Sequence, residues 1–348
     1  MRRFVKALLG AVLVAGALVL PASVASAANP GTPGPIAFIR GGNIFIADGS
    51  TLTQLTTGGG YNYPKFQVHN ATATSGGIAY LHDGNLFVGF YLVGFSPPLT
   101  DEIQLTFDGH GGAGSWNPDG TQLAYQDGFV GFAPLFIVRF GSSTAAATAK
   151  TPAALHAAAL AMAASARTTV VRPGHATTPQ ALKAATRTAF SGLQDDQVAA
   201  WSPNGKWIAI EGGDCIGIFD SCLTVVDLAT NTETTIAAFG GGGSLGGFAT
   251  TPAWTANSSR LLWTQQAENG DGSIGPTQIW SSSPTGTNRS KVGLDGDSVP
   301  APSPAGGSAR LVLTAHNHQA WVTMVAAGGH RTILFQGYNE DWDALVSP

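Results

Sequence analysis

Charge is scarce in this 348-residue chain: only 11% of its residues are Asp, Glu, Lys or Arg. That shortage argues against a protein of long helices with charged solvent faces, and the 46 glycines favour tightly turned, sheet-rich structure. No apolar run beyond Leu20 is long enough to span a bilayer, so no transmembrane segment is expected in the mature chain. The run Gly240 to Gly243 lacks the lysine and following helix of a phosphate loop. Acidic residues are absent from Gly141 to Ala184, a stretch that holds Lys150, Arg167, Arg172 and Lys183. With that stretch and the cations Arg2, Arg3 and Lys6 set aside, ten basic residues face 21 acidic ones. So acidic a body is no electrostatic match for nucleic acid.

Arg2, Arg3 and Lys6 precede an apolar run from Ala7 to Leu20, and Ala25-Ser26-Ala27 follows in the A-x-A form that signal peptidase accepts. Residues 1–27 therefore read as a cleaved export signal, because the run falls short of the roughly 20 residues a membrane anchor needs and Pro21 ends it. No cysteine stands directly after the signal, which argues against a lipid anchor, and a periplasmic, secreted or cell-surface location is expected. In that oxidising setting the only two cysteines, Cys215 and Cys222, are expected to form a disulfide across a short loop. By the chain-entropy argument so short a loop gives roughly 2.5 kcal/mol, enough to pin a hairpin but not to hold a fold. A metal pair, the competing reading, would need further cysteines.

The peptide Trp201-Ser202-Pro203-Asn204-Gly205-Lys206-Trp207-Ile208-Ala209-Ile210 recurs in altered form along the chain. Trp116-Asn117-Pro118-Asp119-Gly120 leads into Leu123-Ala124-Tyr125, and Trp254-Thr255-Ala256-Asn257-Ser258 leads into Leu261-Leu262-Trp263. Looser copies begin at Phe66, Pro302 and Val346. Repeats roughly 40 to 50 residues apart, each a turn followed by short β-rich runs, define the blades of a β-propeller. Each blade is a four-stranded antiparallel sheet, strands A to D from the channel outwards, and the motif is its A–B turn.

The first repeat-like run, Ile36 to Ile39, lacks a strand A before it, whereas Trp342 to Pro348 reproduces the approach to the motif and stops at its proline. The C-terminus is therefore predicted to complete blade 1 and close an all-β ring of six blades spanning residues 28–348. The basic stretch 141–184 is expected to be a C–D insertion in blade 3, partly helical or disordered, its alanines offering little stripe to bury. Similarity between Arg187 to Gly192 and Arg331 to Gly337 places strand D of blade 3 at Thr186 to Phe190.

The recurring W-S-P-[DN]-G-K-x-I-A form resembles the WD40-like (PD40) repeat of TolB-type propellers, from Ile36 to Pro348. The resemblance implies the fold, an extracytoplasmic setting and a bias towards binding partner proteins. TolB proteins carry an α/β domain before the propeller, and propeller peptidases carry a hydrolase domain; this sequence has no segment that matches either.

In this strand order the D–A and B–C connections share one face and the A–B and C–D connections the other. Five positions before the motif aromatic, at the channel mouth, stand Asp196, Asp297 and Asp341. Three carboxylates there could hold Ca²⁺ or attract a cationic group of a partner, and Asp also accepts backbone N–H groups in turns. The B–C loops of that face add Asp214, Asp220, Glu268, Asp271, His316 and His318. His316 and His318 share one side of an extended segment and could present two imidazoles to a metal, although two ligands alone do not make a site. The expected protein is a monomeric, non-catalytic binding module without a cofactor, recognising an envelope or extracellular protein, peptide or glycan at the channel face. The alternative is a metal-dependent lyase or hydrolase at the same mouth, using Ca²⁺ or another divalent ion.

Overall fold

The computed structural model describes residues 35–128, 133–141, 145–172, 197–242, 245–316 and 319–342; residues 1–27, expected to be an export signal, lie outside them. The first sheet takes β1 (Ile36–Arg40), β2 (Asn43–Asp48) and β3 (Thr51–Gln54). Blade 2 follows as β4 (Tyr61–Ala71), β5 (Ser75–His82), β6 (Asn85–Leu92) and β7 (Leu99–Gln104). Blade 3 is β8 (Ser115–Trp116), β9 (Gln122–Gln126), β10 (Leu135–Arg139) and, after helices α1 (Ala145–Thr148) and α2 (Pro152–Ser165), β11 (Arg167–Arg172). Blade 4 is β12 (Ala200–Trp201), β13 (Trp207–Glu211), β14 (Ser221–Asp227) and β15 (Thr232–Phe239). Blade 5 is β16 (Gly247–Trp254), β17 (Leu261–Ala267), β18 (Gln278–Ser282) and β19 (Ser290–Lys291). Blade 6 is β20 (Asp297–Pro302), β21 (Arg310–His316), β22 (Gln319–Val325) and β23 (Arg331–Gln336), and β24 (Tyr338–Trp342) follows it.

Each of the six sheets has four strands, and the first is ordered β24-β1-β2-β3. The C-terminal strand thus supplies the innermost strand of blade 1, with Trp342 opposite Ile36 and Asp341 opposite Ala37. Successive innermost strands touch around the ring, and β24 meets both β4 of blade 2 and β20 of blade 6, so the sheets close into a six-bladed propeller.

Alternation along the strands builds the core. Ile208 and Ile210 pack with Ala124 and Leu135 of blade 3, whereas Ala209 between them packs with Trp254 and Leu261 of blade 5. A strand buried on both faces has no solvent side to make polar, which fits the shortage of charge.

The motif works as a turn with a fixed hydrogen-bond plan. Gly120 and Gly205 adopt left-handed φ of 69° and 75°, and Ser258 takes the same place at 58°. The residue after the motif Trp then receives the N–H that opens strand B. Asn117 Oδ1 accepts from Gln122 at 2.9 Å, Ser202 Oγ from Trp207 at 2.9 Å, and Thr255 Oγ1 from Arg260 at 3.1 Å. The Trp rings bind neighbouring blades together: Trp116 Nε1 donates to the Lys65 carbonyl and Trp254 Nε1 to the Ala200 carbonyl.

Blade 3 departs from expectation. Its strand D is Arg167–Arg172, paired with β10, and not Thr186 to Phe190, which lies outside the described residues. The C–D insertion accordingly ends at Ala166 rather than near Ala184. The run Thr168-Thr169-Val170-Val171 is β-branched throughout and suits a strand, a local preference that outweighs the distant similarity of Arg187 to Gly192.

The helices are also packed in. Thr151 caps α2 by accepting the Ala154 N–H, Pro152 occupies its first turn, and Leu155, Ala158, Ala159 and Met162 are buried at helical spacing. They join the same apolar cluster as Val88, Phe90 and Leu92 of blade 2 and Val138 of blade 3. Alanine on every side gives the helix almost no amphipathic pattern, yet small side chains are what allow it to lie close against a sheet.

Deleting residues 339–348 removes most of β24 and leaves blade 1 without its inner strand. The truncated protein is expected to lose the single cooperative unfolding transition of the full chain in a urea titration followed by tryptophan fluorescence.

Candidate ligand-binding face

The strand order assigns every connection to one end of the ring. In the described D–A and B–C connections stand Asp83, Asp108, Asp127, Asp214, Asp220, Glu268, Asp271 and Asp295, and no Lys or Arg. The described A–B and C–D connections hold Lys150, Lys206, Arg260 and Arg289 against Asp119 alone. The propeller is therefore a disc with an acidic face and a basic one. Such separation produces a negative potential over the acidic face.

Large exposed apolar side chains gather on the acidic face as well. Phe107, Leu245 and Leu294 lie in D–A connections, and Ile218 and Ile274 in B–C connections. Phe107 is 76% exposed and Ile218 69%. The disulfide spans the loop that carries Ile218: Cys215 and Cys222 are bonded with an S–S distance of 2.05 Å, and both sulfurs sit in a small cluster with Ile216, Phe219 and Ala238.

Inside the ring a cavity of about 330 Å³ lies towards the A–B turns, the opposite end from the expected mouth. Inner strands of blades 2 to 6 line it with Trp116, Trp201, Trp254 and a set of prolines, and Lys65 is its only charged lining residue among the described residues. Its walls are the motif residues themselves, so its shape follows from the scaffold.

The expected site residues are distributed as follows. Asp297 is 1% exposed, and its carboxylate faces the seam between blades 5 and 6. There it accepts a fork of two hydrogen bonds from Arg331, at 2.6 and 3.0 Å, and the Leu294 N–H at 2.8 Å. Asp341 lies in β24 opposite Ala37, and Asp196 is outside the described residues. His316 ends β21 opposite Gln319, and His318 is outside the described residues. No group of three His, Cys, Asp or Glu able to hold a metal occurs among the described residues. Asn269 to Ser273 forms a self-contained turn in which Asp271 Oδ1 accepts the Ser273 N–H and hydroxyl.

One carboxyl pair on the acidic face has unusual chemistry. Burial first, then the negative charge and hydrogen bond of Asp108, push the Asp127 carboxyl up to about 6, against a smaller opposing effect of His110. Two carboxyls in contact resist ionising together. The sequence shows both acids but not that a B–C loop and a D–A loop bring them side by side.

No protein-family model and no curated protein sequence matches the chain. Among solved structures its fold is similar to TolB from Acinetobacter baumannii, at 15% identity and a TM-score of 0.55 over 89% of this chain and 66% of that one. The chain thus spans just under two thirds of that protein's length. A putative TolB from Agrobacterium tumefaciens is similar at 14% identity and a TM-score of 0.53, over 88% of this chain and 91% of that one. An oligogalacturonate lyase in complex with manganese reaches a TM-score of 0.45 at 12% identity, over 84% of this chain and 70% of that one, a likeness too loose to bear on chemistry. Identities this low show a shared TolB-like propeller fold and nothing finer.

Two measurements probe these assignments. Between pH 3.8, the ordinary value, and about 6 the folded protein holds a proton on Asp127 that the unfolded chain has lost, so its stability falls as pH rises through that window. An Asp127→Asn variant should therefore melt at nearly the wild-type temperature at pH 4 and above it at pH 7. Arg331→Ala leaves the buried Asp297 carboxylate unpaired and should cost about 3 kcal/mol in urea unfolding, a loss that Asp297→Asn in the same background partly restores.

Proposed function

We propose that the protein is an exported, non-catalytic binding module that takes a partner protein on its acidic face. The separation of charge between the two ends of the ring carries this reading. A closed propeller has no use for sorted loop charges in its own folding, because loops that face solvent at either end contribute little to the seams. The exposed apolar side chains on the same face supply contact area that a purely electrostatic surface lacks, and aromatic and aliphatic anchors are what hold protein interfaces. Export is supported by the signal-like residues 1–27 and by a disulfide that an oxidising compartment would maintain. No helix among the described residues is long and apolar enough to cross a membrane.

Asp196 and Asp341, together with the loop carboxylates, are the proposed contributors at the mouth, with Asp297 holding the seam behind them. A glycan of neutral, N-acetylated or acidic sugars fits less well, since it carries no cationic group to match this face. An envelope extract passed over the immobilised protein tests the reading. A partner should be retained at low salt, be lost when ionic strength is raised beyond about 0.5 M, and be lost in an Asp83→Asn, Asp108→Asn, Asp295→Asn variant. Equal retention by that variant and by one altered at Lys206 and Arg260 would sink the proposal.

A further inference from the structure

The exposed apolar residues of blades 4 and 5 are joined into one surface by contacts between three loops. Ile218 caps the 3-10 turn Asp214–Gly217, and Leu245 lies in the connection from blade 4 to blade 5. Ile274 belongs to the following B–C loop. The Gly240 N–H donates to the Leu245 carbonyl at 2.8 Å, and the Asp220 N–H donates to the Phe239 carbonyl at 3.0 Å. Gly241, at a left-handed φ of 68°, lies so close to Ile218 that a Cβ there would stand 1.9 Å from the Ile218 carbonyl oxygen. On the other side the Glu268 N–H donates to the Gly246 carbonyl at 2.8 Å, and Glu268 Oε2 accepts the Gly246 N–H at 3.1 Å. A bridge between Glu268 and Ile274 completes the chain of contacts.

The platform so formed holds Ile218, Leu245 and Ile274, which are 69%, 53% and 48% exposed. Among the described residues of these three loops stand Asp220, Glu268 and Asp271 and no Lys or Arg. Asp271 is held well below the usual carboxylate range by the hydroxyl and N–H of Ser273 and stays charged. Unlike most loop surfaces, this one is fixed covalently: the Cys215–Cys222 bond closes the loop that carries Ile218. A surface ordered before contact loses little freedom on binding.

We infer that this platform docks an extended or helical protein segment that presents apolar side chains flanked by lysine or arginine. The inference rests on the acidic face being the binding face, and it names where on that face and with what chemistry. Charge complementarity selects the occupant. Acidic borders repel anionic lipid headgroups and acidic segments, and three exposed aliphatic side chains gain little from a purely cationic polymer.

The test uses the mature full-length protein and synthetic fluorescent peptides followed by anisotropy at physiological salt. A peptide of alternating lysine and leucine should bind, and peptides of lysine with serine or glutamate with leucine should not. Ile218→Ser, Leu245→Ser, Ile274→Ser together should weaken binding at least tenfold. The isosteric set Asp220→Asn, Glu268→Gln, Asp271→Asn should do the same and remove the salt dependence. Phe95→Ser with Leu160→Ser, exposed at the opposite face, should change nothing. No binding of the lysine–leucine peptide would overturn the inference, as would equal binding of the lysine–serine peptide. Binding lost in the charge set but kept in the serine set would overturn the platform while leaving the acidic face as the binding face. Retention of the envelope partner by the Asp83, Asp108, Asp295 variant would instead remove the broader reading. A concentration-dependent dimer in sedimentation, dissolved by the serine set, would show that a second copy covers the platform and would also overturn the inference.

Discussion

The pairing of β24 with β1 is the contact on which the remaining structure depends. Six of the apolar clusters lie in the seams between neighbouring blades, so no sheet is buried without the two beside it. Blade 1 is the one place where the ring can open, and there the seam on one side joins Ile36, Phe38 and Ala47 to Ala301, Leu311 and Val322 of blade 6. On the other side it joins Ile39, Ile44 and Ile46 to Phe66, Ile78 and Tyr91 of blade 2. Bringing the two ends of so long a chain together costs less than its length suggests, because loop-closure entropy grows only logarithmically and each doubling adds about 0.6 kcal/mol. The seams then return far more than that through burial. Closure also leaves no inner strand edge open to a neighbouring molecule.

The blade register was legible in the sequence because the motif is a set of atoms with geometric duties. A left-handed residue, a side-chain acceptor after the Trp and a ring that reaches the previous blade must keep fixed offsets, and Gly120, Gly205 and Ser258 show that the position outlasts the residue type. The closing strand was legible for the same reason, since Trp342 to Pro348 repeats the approach to that turn. Blade 3 was not, because its strand D follows two helices that carry no periodic signal. In α2 the buried Ala158 and Ala159 are chemically identical to the exposed Ala153 and Ala157, so what is buried is decided by the surface it meets. Packing of that kind exists only in three dimensions.

The acidic face was half legible. Strand order alone sends Asp214, Asp220, Glu268 and Asp271 to one end, and that placement stands. Asp297 shows where such reasoning stops. Its place in the repeat gives its depth along the channel, but alternate residues of a strand point to opposite sides, and Arg331 with the Leu294 N–H offers its carboxylate a partner inside the seam. The apolar platform had no sequence signal at all, because Ile218, Leu245 and Ile274 are ordinary residues in separate loops until hydrogen bonds join those loops.

Glycine and the disulfide have complementary roles in that platform. The run beginning at Gly240 is no phosphate loop; its left-handed backbone lets one connection lie directly on the carbonyl of Ile218. Close approach of this kind brings three loops together but leaves each with little side-chain packing of its own. The Cys215–Cys222 bond supplies order where packing cannot, tying the loop that carries Ile218 to β14, with both sulfurs buried beside Ile216, Phe219 and Ala238. A protein with so few charges can keep exposed aliphatic groups from associating at random only if those groups are ringed by the charges it has. Asp220, Glu268 and Asp271 form that ring, and the same carboxylates that keep the surface soluble also restrict which segments can settle on it.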